Sequence, residues 1–331
     1  MILFAALVLG AQQYSPDLEL GYKLDAFEVQ HFRGLVYVEK DGKEVFFHTV
    51  GYADPDTRRS FTRSTGIEIG SIVKPIVKTA IYKLVEQGKL SLTDPISKFF
   101  SDVPADKQMI TVDMLLHHKA GFQDIFGDDY EPMQRDELMS KMLASKLLFT
   151  PDSKDEYSNS GYSMLATIIE IVTGESLEKH IARTQFKPLG LRRTGYVLPH
   201  WKSDQIAIGT DSDGKRWGSP LDRFWYPDGP SWNLRGNGGM ITTVGELAHW
   251  SWAVHNGKLL NAASYAEFTP TLSKKDVAPD AMWGSFGGNG VWDCGLVYNP
   301  SRRMTVILFS VDGRFEIETK LRELRPYLLK L

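Results

Sequence analysis

The sequence predicts an α+β fold, with one antiparallel β-sheet built from both chain ends, flanked by helices, and a mostly helical region inserted between the ends. Three observations predict it. A β-hairpin signal stands near the start, three strand candidates stand near the end, and apolar residues recur at helical spacing through the middle. At 331 residues, with 42% hydrophobic and 24% charged, the composition is that of a globular chain. The reading is a single domain over 20–331, with its sheet part at about 20–75 and 236–331 and its helical insert at about 76–235.

The first run, Met1 to Ala11, is apolar and then turns polar at Gln12-Gln13. It is too short to span a bilayer and fits the apolar core and small-residue cleavage zone of a signal peptide. The basic segment that usually precedes such a core is missing. An exported protein, periplasmic or secreted, is the expectation, with no membrane span in the mature chain. Next, Phe32–Lys40 and Lys43–Val50 are rich in β-branched and aromatic residues and flank Asp41-Gly42, a favoured two-residue hairpin turn. After a loop at 53–66, Ile67-Glu68-Ile69-Gly70 leads into a helix. Ile72, Ile76, Ala80 and Leu84 lie on one face of it, and Gly88 ends it.

Further helices are expected at 109–118, 136–148 and 161–172, with a short one from Ser176, another at 243–255 and a last one at 315–329. The stretch 199–236 holds Trp201, Trp217, Trp225 and Trp232 among prolines and glycines. It reads as a long ordered excursion, either a lid or pocket wall or a segment whose tryptophans pack over the body. Residues 281–286, 291–298 and 303–311 are the closing strands.

The net charge of −3, with both signs interspersed, gives no reason to expect a nucleic-acid or membrane-surface partner. A single cysteine, Cys294, rules out a disulfide framework and a thiolate metal site, and its strand-like surroundings read as a buried structural thiol.

Two short runs carry the chemistry. Ser71 and Lys74, three apart, share one face of a helix, so an amine stands beside a hydroxyl. Pro75 lacks the N–H an interior position needs, which sets the helix start near Ser71. The Ser71 N–H is then left without an intrahelical acceptor, at the positive end of the helix dipole. Ser-x-x-Lys occurs also at Ser176–Lys179 and Ser212–Lys215, a helix start and an acidic turn. Only Ser71 follows an apolar approach and opens an apolar helix. Tyr157 is the one tyrosine with asparagine two residues on, and Asn159 also suits a helix N-cap. A Gly-x-Ser-x-Gly elbow, a His-Glu-x-x-His pair, a phosphate loop and a dinucleotide glycine fingerprint are all absent. Adjacent His117 and His118 point different ways on a helix, which disfavours a shared metal.

The chain resembles the class C β-lactamase and penicillin-binding-protein group of serine hydrolases, which also holds esterases and D-amino-acid peptidases. The likeness covers roughly 30–331. It rests on Gly70–Pro75, Gly88–Ile96, Leu115–Phe122, Tyr157–Tyr162, Pro188–Leu191 and Gly238–Thr243, in family order. It implies a β-lactamase/transpeptidase-like fold, with Ser71 acylated, Lys74 and Tyr157 handling protons, and Asn159 orienting Lys74 and substrate. It implies no metal or organic cofactor.

One stretch departs from the family, whose third motif is Lys or His, any residue, then Gly. Here Ser285-Phe286-Gly287 fills that place, or Phe286-Gly287-Gly288 in another register, and neither offers a cation. The Ser71 and Gly288 N–H groups are the expected oxyanion donors, or that of Asn289 in the other register. The expectation is an acyl-enzyme hydrolase acting on small esters or amides, or a peptidoglycan-like substrate, rather than on penicillins. The alternative is a non-catalytic or weakly catalytic sensor on the same fold. Whether Lys74 or a Tyr157 phenolate is the general base stays open at this level, as does the oligomeric state.

Overall fold

Alternating apolar side chains build the central sheet. In the computed structural model, which describes residues 15–273, 278 and 280–331, five strands form it. They are β1 (Gly34–Lys40), β2 (Lys43–Val50), β3 (Trp283–Gly288), β4 (Asp293–Asn299) and β5 (Met304–Ser310). Their spatial order is β3-β4-β5-β1-β2, antiparallel throughout. The two chain ends therefore meet at the β1–β5 pairing, with Val36 opposite Leu308 and Tyr37 opposite Ile307. Asp41 and Gly42 take φ of 52° and 76°, the conformation a two-residue type I′ turn requires. The apolar start at 1–11 lies outside the described residues.

The period of two assigns the faces. Leu35, Tyr37, Ile307 and Phe309 point into the larger core, whereas Val36, Val38, Val306 and Leu308 point into a second one. Two helices close the second core, α1 (Pro16–Asp25) and α5 (Ile317–Leu328), through Leu20, Leu24, Leu321 and Leu324. Helix α1 was not expected from the apolar pattern, although Pro16 in its first turn, with Asp17 and Glu19, is a helix-start signal. The larger core holds α2 (Val73–Glu86), α3 (Asn159–Thr173) and α4 (Val244–His255). Helix α2 buries ten of its fourteen residues, so its position is fixed from nearly all sides.

Several elements are shorter than expected. The helix sought at 109–118 is Val112–Leu116, started by Thr111, whose hydroxyl accepts from Met114 N–H. The one sought at 136–148 ends at Ala144. A short helix at Ala262–Phe268 was missed. The excursion at 199–236 forms two small antiparallel ribbons, pairing 209–210 with 216–218 and 225–226 with 229–230. Trp201 and Trp232 are buried, and Trp217 and Trp225 pack half-buried against the larger core. Cys294 is fully buried, as expected. Among the described residues, no helix is long and apolar enough to cross a membrane.

Candidate active site

Ser71 sits in a one-turn 3-10 helix, Gly70–Ile72, that feeds α2. The α-helix proper begins at Val73, two residues later than the sequence reading placed it. Gly70 is the cause: its φ of +47° turns the chain sharply out of the Ile67–Glu68 strand. The turn still holds Ser71 and Lys74 together, with Lys74 Nζ 2.9 Å from Ser71 Oγ. The two other Ser-x-x-Lys runs are structural. Ser176 caps the helix Leu177–Ile181, and Ser212 lies in a turn closed by Asp211 and Lys215.

The buried Lys74 ammonium reaches three oxygens. Besides Ser71 Oγ, it donates to Asn159 Oδ1 at 2.6 Å and to the Asn237 carbonyl at 3.1 Å. Burial lowers its pKa to about 7, with Asp124 and Asp129 opposing the shift. Tyr157 is half-exposed and donates its hydroxyl to Ser71 Oγ at 2.7 Å. Its pKa is raised, first by burial, against the hydrogen bond to Ser71. Lys74 Nζ also stands 4.7 Å from the centre of the Tyr157 ring.

Asn159 is the first residue of α3 and not its cap. Ser158 caps the helix, its hydroxyl accepting from Gly161 N–H, which frees the Asn159 amide for Lys74. Asp124 fixes the backbone there by accepting from Asn159 N–H at 2.8 Å. His118 packs against Tyr157. Its ring lies 4.8 Å from the tyrosine ring, and its Nδ1 accepts from Ser158 N–H. Burial first, then the Lys74 charge, lowers the His118 pKa to about 4, so it stays neutral.

The fourth wall is β3, the open edge of the sheet. A Cβ on Gly287 would overlap the Ile69 carbonyl and lie 2.6 Å from Ser71 N, so only glycine lets the strand come this close. Gly287 thus faces Ser71, and by strand alternation Ser285 shares that face. Phe286 points to the other face, into an apolar groove of about 330 Å³ against Leu321 and Leu328. Asn289 N–H is spent on the Trp292 carbonyl in the β3–β4 turn. Antiparallel alternation then turns the Gly288 amide off the open edge. A Cβ on Gly70 would sit 2.6 Å from Gly288 N.

Beneath this surface lies Glu68, which is fully buried. Its Oε1 accepts from Gly70 N–H and Gly239 N–H, both at 2.9 Å, and its Oε2 from the Trp292 indole. One carboxylate thereby ties the Ser71 turn, the 237–239 loop and the β3–β4 hairpin. Burial raises its pKa to about 7, the three donors opposing.

The structure brings together Ser71, Lys74, Tyr157, Asn159, Gly287 and Gly288. Ser285 and Phe286 flank them on the same strand. Glu68, Asp124 and Asn237 were not singled out in the sequence, and His118 was weighed there only as a metal ligand. A charge at position 68 inside an apolar run was a usable signal for the first. Asn237 contributes only its backbone carbonyl to Lys74, so its side chain left no clue.

The PbpX protein of Bacillus subtilis (strain 168), named as a penicillin-binding protein, is 31% identical over 289 residues, which is 84% of this chain and 70% of PbpX. Two solved structures share the fold. A β-lactamase/D-alanine carboxypeptidase from Pseudomonas syringae superposes with a TM-score of 0.78 at 16% identity, covering 94% of this chain and 98% of that one. A D-amino acid amidase from Ochrobactrum anthropi SV3 superposes with a TM-score of 0.75 at 20% identity, covering 90% and 91%. The Beta-lactamase family model matches residues 24–310, and the chain belongs to that family.

Proposed function

We propose that the protein is a serine hydrolase that cleaves small esters or amides through an acyl-enzyme on Ser71. The observation that carries this reading is the convergence of Lys74 Nζ and Tyr157 OH on one hydroxyl oxygen, at 2.9 and 2.7 Å.

The proton count supports Lys74 as the base. A neutral amine has two N–H donors and one lone pair. Asn159 Oδ1 and the Asn237 carbonyl take the two donors, which leaves the lone pair for the Ser71 O–H. A pKa of about 7 populates this neutral form near neutral pH. The raised Tyr157 pKa disfavours a phenolate, so Tyr157 serves as a protonated donor. As Ser71 Oγ bonds to the carbonyl carbon, its proton passes to Lys74. The bond to the leaving group then breaks, and Lys74 returns the proton through the Tyr157 hydroxyl to that group. Water reverses the sequence and releases the acid.

The N–H groups of Ser71 and Gly288 hold the developing oxyanion, each worth about 2.7–4 kcal/mol of barrier. Ser285 presents a hydroxyl where a lysine or histidine would grip a substrate carboxylate, which favours substrates without one. Full engagement of the Lys74–Tyr157–Asn159 set argues against a purely sensory role.

A fluorophosphonate probe and a p-nitrophenyl ester test the proposal together. Labelling and turnover in the wild type, both lost in Ser71→Ala, are the expected result. Labelling without turnover would support the sensor, and no labelling would remove Ser71 as nucleophile.

A further inference from the structure

Ser71 opens onto a cleft of about 560 Å³ that crosses the glycine edge of β3 and ends at the start of α5. Among the described residues its walls include Gly287, Gly288, Asp293, Glu316 and Glu318, and no lysine, arginine or histidine. Asp293 is the notable member. It pairs with Gly288 across the β3–β4 ladder, and its carboxylate lies over the bare Gly288 Cα, where any side chain at 288 would overlap Oδ1.

The other acids in this cleft have partners. Glu318 pairs with Arg322 at 2.6 Å, and Glu316 accepts from the Thr319 hydroxyl. The half-buried Asp293 side chain has no hydrogen-bond donor or cation among the described residues. Burial alone raises its pKa to about 6, which measures how poorly the unpaired charge is compensated. A carboxylate held in this state gains from any cation that enters.

We infer that Asp293 is a specificity residue that selects substrates bearing a cationic group, such as an ammonium, beyond the scissile carbonyl. The inference rests on Ser71 being the nucleophile. It gives the departure at Ser285 a counterpart. The site lacks a cation for a substrate carboxylate, and the neighbouring strand supplies an anion for a substrate cation.

The test uses two sets of isosteric esters. In p-nitrophenyl esters, the acyl chain ends in trimethylammonium, tert-butyl or carboxylate. In thioacetates, the thiol half ends in trimethylammonium or tert-butyl. The expected result is a kcat/KM about five- to tenfold higher for the ammonium member than for its tert-butyl isostere in one of the two sets. The carboxylate member should be poorest. Asp293→Asn, which keeps the shape, should abolish the preference while leaving turnover of the tert-butyl esters within about twofold of wild type.

Equal rates for ammonium and tert-butyl members in both sets would overturn the inference and leave the Ser71 reading standing. So would a preference that survives in Asp293→Asn. Loss of all turnover in the wild type would instead remove the hydrolase reading, and this inference with it.

Discussion

Gly287→Ala isolates the close approach of β3 to Ser71. The new methyl group would overlap the Ile69 carbonyl oxygen and come within 2.6 Å of Ser71 N and 2.9 Å of the Gly70 carbonyl carbon. All three are backbone atoms in a turn anchored by Glu68, so they cannot rotate away. Ordinary contact needs roughly 3.4 Å, which pushes the edge strand outward by about 1 Å. That displacement carries the Gly288 N–H out of reach of the oxyanion. A misplacement of this size costs about 10²-fold in rate, or about 2.7 kcal/mol of barrier. Because β3 pairs on one side only among the described residues, most of the sheet should stay intact. Steady-state kcat on a p-nitrophenyl ester and the rate of fluorophosphonate labelling should fall together, while thermal unfolding moves only a few degrees. Gly284→Ala is the matched control, since its Cβ would meet nothing nearer than 3.5 Å. A Gly287→Ala enzyme within threefold of wild type would refute the reasoning that this glycine sets the oxyanion geometry.

Three further outcomes are expected. The Lys74 pKa of about 7 lies below its ordinary value, so the amine is charged below that pH and neutral above it. The kcat–pH profile should therefore rise with a midpoint near 7, and an acid limb centred below 5 would assign the base to a carboxylate instead. Trp292→Phe removes one donor from the buried Glu68 carboxylate and leaves that oxygen unpaired, at a cost of about 1–3 kcal/mol by urea unfolding; a neutral effect would show that the indole does not hold the hairpin to the Ser71 turn. Ser285→Lys places a cation on the face that Gly287 shares with Ser71, and acylation by a chromogenic cephalosporin should increase; unchanged acylation would count against the Ser285–Gly287 register.

Much of the fold was legible because its signals are local. The Asp41-Gly42 turn, the alternation in β1 and β5 and the apolar spacing of α2 each depend on neighbours a few residues away. The Ser71–Lys74 and Tyr157–Asn159 runs were legible for the same reason. Context mattered too, since two other Ser-x-x-Lys runs became a cap and a turn. What escaped depends on distant packing. Glu68 accepts from residues 70, 239 and 292, and His118 stacks on Tyr157 across 39 positions of chain. The exact start of α2 escaped because Gly70 takes a left-handed conformation that spacing does not encode. Asn159 also suited a helix N-cap, but the neighbouring Ser158 hydroxyl takes that place and leaves the Asn159 amide for Lys74.

The meeting of the two chain ends at the β1–β5 pairing has a bearing on synthesis at the ribosome. Ser71, Lys74 and Tyr157 are translated well before β3, and β3 joins the sheet only by way of β4 and β5. The strand that flanks Ser71 can dock only after β4 and β5, through Ser310, have left the exit tunnel. On the proposed mechanism, a nascent chain stalled before residue 300 would carry Ser71 with the Gly288 donor not yet docked, so acylating activity would report that synthesis has run past β5.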